Sequence, residues 1–113
     1  MTQTAYCPKS HTELASVTAG KPYGHVPGHR YHDVDVVIST RDGSSFRVHV
    51  CEHMGSAQGR DEEHDRREVV GRGGSIGSAC DNARIMAKDA GIVCEYFAQA
   101  LSQAQDEAEE ATN

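Results

Sequence analysis

Two short runs constrain this chain more than anything else in it. Val34, Val36 and Ile38 alternate with Asp33, Asp35 and Ser39. Phe46, Val48 and Val50 alternate with Arg47, His49 and Cys51. A period of two places one set of side chains on each face of a strand, so each run is a half-buried β-strand. Arg41-Asp42-Gly43 lies between them and carries turn chemistry. A two-residue turn would put the two apolar sets on opposite faces, because a slip of one residue reverses every side chain. A three-residue Arg41–Gly43 loop keeps them together and pairs Ile38 with Phe46, Val36 with Val48 and Val34 with Val50. That register sets Asp35 beside His49 and Asp33 beside Cys51.

The C-terminal half changes period. Ile76, Ala79, Cys80, Ala83, Met86, Ala87 and Ala90 recur at helical spacing, with Ser75 and Ser78 as alternative N-caps. Gly91 followed by Ile92 is a helix stop in which glycine takes the left-handed position. A second helix is expected over about 93–107, with Val93, Tyr96, Phe97, Ala100, Leu101 and Ala104 as its stripe. Ile92-Val93-Cys94 is also compatible with a strand to Phe97. Acids close to the C-terminus oppose the helix dipole, so residues 106–113 are expected to fray.

The fold class is therefore α+β: an antiparallel hairpin, with Val69-Val70 as a potential third strand, packed on two C-terminal helices. Residues 1–30 are rich in Gly, Pro, Ser and Thr and read as an irregular arm with one short strand near Leu14–Thr18. Residues 31–113 form the domain. The charged stretch Arg60–Glu68 reads as a solvated loop or short exposed helix.

Charge placement bears on function. The net charge is −6, and residues 89–113 hold Asp89, Glu95, Asp106, Glu107, Glu109 and Glu110 with no Lys or Arg. A bulk nucleic-acid binder needs a basic footprint, which this chain lacks. No apolar run reaches membrane-span length, and no export signal stands at the start. A cytoplasmic protein with reduced thiols is expected, because Cys7, Cys51, Cys80 and Cys94 follow no disulfide spacing.

Three functional readings follow. The leading one is a small non-enzymatic modulator, of the kind phages encode against host defences. It would bind a partner with a basic surface through an acidic C-terminal helix bearing Glu95, Asp106, Glu107, Glu109 and Glu110. The second is a nucleotide or phosphorylated small-molecule binder, as a homo-oligomer, that uses Gly71, Arg72, Gly73, Gly74 and Ser75. Glycines admit backbone N–H groups to a phosphate, a helix N-terminus favours an anion, and Arg72 adds a charged clamp. Against it, Ile76 stands where a dinucleotide fingerprint needs its third glycine, and no Lys gives the Walker form. The third is a zinc-stabilised domain or metal enzyme using Asp35, His49, Cys51 and His53 on the polar hairpin face, with His25, His29 and His32 just before it and Cys7 and His11 as further donors from the arm. No CxxC or HExxH motif accompanies them. No catalytic constellation is expected; Cys51 is the reactive-thiol candidate, whereas Cys80 and Cys94 read as core.

Overall fold

The computed structural model describes residues 10–21, 29–57 and 64–112. Among these, four strands and two helices follow in the order β1 (Thr12–Lys21), β2 (His29–Thr40), β3 (Phe46–Ala57), β4 (His64–Gly73), α1 (Ile76–Asp89) and α2 (Glu95–Ala111). The strands form an antiparallel meander in sequence order. Both helices pack on one face, α1 over β4 and β3, α2 over β1 and β2. The α+β expectation holds, with two more strands than the hairpin alone.

The core lies between sheet and helices. Val34, Val36, Ile38, Phe46, Val48 and Val50 meet Ile76, Ala79, Cys80, Ala83, Ala87, Phe97, Ala100, Leu101, Ala104 and Ala108. The sequence offers no Trp and only two Phe, so alanine lets the helices approach closely enough to fill the core with β-branched strand residues.

The apolar sets of the hairpin share a face as expected, but the register differs by two residues. Ile38 pairs with Val48, Val36 with Val50, and Val34 with Glu52. The loop is Asp42-Gly43-Ser44, one residue later than expected, closed by the Arg41 N–H on the Ser45 carbonyl at 3.2 Å. Asp42 causes the shift. Its Oδ1 accepts from the Ser44 and Ser45 N–H groups at 3.0 and 3.1 Å and from the Ser44 hydroxyl at 2.9 Å. These bonds hold its carboxyl below the usual range. Thr40 Oγ1 accepts from the Gly43 N–H, and Gly43 has a φ of 81°. The side chain of Asp42 thus builds the turn from within.

The sequence-based boundaries need four corrections. The irregular arm contains a full ten-residue edge strand, β1, with Ala15 and Val17 buried and a bulge between Glu13 and Ala15; residues 1–9 and 22–28 lie outside the described set. Within the charged stretch, residues 64–68 are strand, whereas residues 60–63 lie outside the described set. Charges suit an outer strand, because they deter pairing with a further chain. The second helix begins at Glu95, two residues late, and Val93 is 75% exposed rather than core. Met86 is 42% exposed because it stands at the margin of the α1 stripe.

Local chemistry explains the helix ends. Ser75, not Ser78, is the α1 N-cap, and the two serines form a reciprocal capping box. At the other end the Ile92 N–H bonds to the Ala87 carbonyl at 2.8 Å and the Gly91 N–H to the Lys88 carbonyl at 3.1 Å. With Gly91 at φ 85°, this is a Schellman stop. Ile92, only 1% exposed, anchors the turn in the core. Residues 92–94 are not strand.

Candidate functional site

The three groups of residues singled out by sequence occupy three different surroundings. Glu95, Asp106, Glu107, Glu109 and Glu110 all face solvent on α2, opposite Phe97, Ala100, Leu101, Ala104 and Ala108, which are buried. Among the described residues, none of these five carboxylates forms an ion pair. Gln105 donates to Glu109 Oε1 at 3.3 Å. The helix continues to Ala111, where the Thr112 N–H and hydroxyl both bond to the Glu109 carbonyl.

The glycine string is not one loop. Gly71, Arg72 and Gly73 belong to β4, only Gly74 and Ser75 connect, and α1 starts at Ile76. Two of the glycines serve close packing. A Cβ on Gly71 would stand 2.5 Å from the Ala83 nitrogen and 2.6 Å from the Ala79 oxygen. A Cβ on Gly73 would stand 2.2 Å from Ser78 Oγ and 2.7 Å from the Ala79 nitrogen. The space a phosphate would need against these glycines is filled by α1 itself. At the helix start the Ser78 N–H is already bonded to Ser75 Oγ at 3.1 Å, and the Arg72 carbonyl accepts from Asn82 at 2.6 Å.

The polar hairpin face is brought together only in part. Asp35 sits opposite Cys51 and Asp33 opposite His53; His49 faces Val37, not Asp35. The two-residue register shift is the reason. His53 Nε2 lies 3.6 Å from Asp35 Oδ2 and 3.3 Å from Cys51 Sγ. Arg66 donates to the same sulfur at 3.3 Å. His49 instead pairs with Glu68 at 3.1 Å. Burial lowers its pKa, against a raising contribution from Glu68. The converging ligand atoms on this face are those of Asp33, Asp35 and His53, and the Thr18 hydroxyl already occupies Asp35. Cys51 is fully buried, which removes access to the one thiol expected to react. Cys7 lies outside the described residues, and His11 bonds Ser10 at 3.2 Å.

A fourth group was not anticipated. Glu52 continues the inward stripe of β3 and is 3% exposed. His32, inward on β2, donates from Nε2 to Glu52 Oε2 at 2.8 Å. Cys94, the N-cap of α2, brings its sulfur to the same carboxylate, and the ligand atoms of all three lie within 4.8 Å of one another. Arg67 Nη1 stands 3.6 Å from Glu52 Oε1 but spends its hydrogen bond on the Gly91 carbonyl at 3.1 Å. Glu52 Oε1 is left buried with no hydrogen bond. Tyr96 fixes the His32 ring edge-on, with centroids 5.2 Å apart. The signal was present in the alternation: extending each apolar stripe by one inward position reaches His32 and Glu52.

Among the thiols, burial raises Cys80 to about 11 and pushes Cys94 up as well, with Glu52 adding to the latter. Neither is poised as a nucleophile at neutral pH. No helix among the described residues is long and apolar enough to cross a membrane. No protein-family model, curated protein or solved structure matches this chain.

Proposed function

We propose that this chain is a small non-enzymatic binding protein that modulates a partner protein by docking the acidic face of α2 on a basic surface. The observation that carries the reading is the one-signed outward face of that helix. Glu95, Asp106, Glu107, Glu109 and Glu110 are exposed, and no Lys or Arg occurs after Lys88. Four of these acids crowd the negative end of the helix dipole, where they cost stability within the chain. A basic partner would offset that cost and gain fast, salt-sensitive association. The core of α2 packs on β1 and β2, so the acidic face is presented by a docked helix.

The test compares the wild type with a variant carrying D106N, E107Q, E109Q and E110Q as bait against extract of the native host. A species retained by the wild type, lost with the variant and eluted by moderate salt is the expected result. Equal retention of the same species by both proteins contradicts the reading. The phosphate-ligand reading has less support, because α1 fills the space against Gly71 and Gly73.

A further inference from the structure

We propose that His32, Glu52 and Cys94 form a binding site for one zinc-class divalent cation, with the remaining coordination position open to water. The three donors are an imidazole, a carboxylate and a thiol, the set that zinc takes in tetrahedral sites. They come from three separate elements, β2, β3 and the α2 N-cap, yet their ligand atoms already lie within 4.8 Å of one another. Tetrahedral coordination at bonds of about 2.0–2.3 Å needs ligand atoms roughly 3.5 Å apart. Small side-chain rotations close that gap.

A second, independent observation marks the place as built for a ligand. Glu52 is 3% exposed, and its Oε1 has no hydrogen bond. The Arg67 guanidinium, at 3.6 Å, faces that oxygen; a buried carboxylate oxygen without a hydrogen bond carries a desolvation cost, and a bound cation removes it. His32 is 31% exposed, which gives the ion a path in from the rim of the sheet. The Cys94 thiol gives up its proton when the metal–sulfur bond forms, so one proton is released per ion bound through that sulfur. Among the described residues, Arg67 is the fixed cation paired with the carboxylate, at 3.6 Å from Oε1. Its anchoring on the Gly91 carbonyl and its 46% exposure let solvent screen it. The outer-face group of Asp33, Asp35 and His53 is only half-buried, and the Cys51 sulfur beside His53 already accepts from Arg66.

Cobalt(II) titration of the metal-free full chain tests the site, because a thiolate ligand gives cobalt an intense charge-transfer absorption. The expected result is that band, saturating at one equivalent and bleached by zinc. C94S should abolish it, H32Q should weaken cobalt binding more than about tenfold, and C51S should leave it intact. Serine is a favoured N-cap residue, so C94S keeps α2, and circular dichroism on each variant confirms the fold. Absence of the band in the wild type overturns the proposal, as does a band that survives C94S. Both outcomes are independent of whether α2 binds a protein.

Discussion

At the scale of single residues, the molecule is organised by positions that leave room for a neighbour or settle a charge where the alternation of apolar residues says nothing of them. Gly71 is one. A methyl group there would meet the backbone of Ala79 and Ala83 at 2.5–2.7 Å, so α1 would have to lift off β4. Gly71→Ala should therefore destabilise the fold by about 2 kcal/mol, read as a lower midpoint in urea unfolding. An unchanged midpoint would show that the glycine is not needed for packing. His49 is another. Burial depresses its pKa below the ordinary 6.5, working against Glu68. In the unfolded chain it takes up a proton near 6.5, whereas in the folded protein it resists until lower pH. Its contribution is thus complete above that range and is lost as pH falls through it. Thermal melts should show the midpoint declining on acidification below about 6.5, and H49Q should flatten that decline. An identical pH profile for the variant would place the titration elsewhere.

At the scale of elements, α2 combines an inner stripe packed along its length with a like-charged outer side at its end. Phe97, Ala100 and Leu101 are buried in the core, whereas Asp106, Glu107, Glu109 and Glu110 repel one another at the negative pole of the helix. Neutralising these four should stabilise the fold by roughly 1 kcal/mol at low ionic strength, with the gain shrinking as salt is added. A variant no more stable than the wild type at low salt would contradict this account of the helix end. Amide hydrogen exchange should also be faster over 106–112 than over 97–104. Uniform protection along α2 would mean that the acids do not loosen its last turns.

At the scale of the whole molecule, the sheet-and-helix layout was legible because it depends on periodicity. Period two over Val34–Ile38 and Phe46–Val50, then helical spacing from Ile76 onwards, required a layered α+β fold. The Schellman stop at Gly91-Ile92 was equally legible, because its chemistry is local. The exact register was not, because it rests on Asp42 bonding three groups in its own turn. β1 was obscured by its Thr, Ser and Gly content: an outer strand needs only Ala15 and Val17 inward. The site residues divide in the same way. Exposure of the α2 acids followed from the helical stripe, whereas the meeting of His32, Glu52 and Cys94 depends on how α2 begins over the end of the sheet. The glycines that resembled a phosphate cradle turned out to admit a helix.

As proposed, the whole molecule presents the acidic face of α2 as its docking surface. Titration calorimetry against the recovered partner, repeated across a series of salt concentrations, tests it most directly. For the wild type, affinity should fall steadily as salt is added. With Asp106, Glu107, Glu109 and Glu110 neutralised, affinity should be weaker at low salt and its salt dependence markedly flatter. The same affinity and the same salt dependence for both proteins would contradict it.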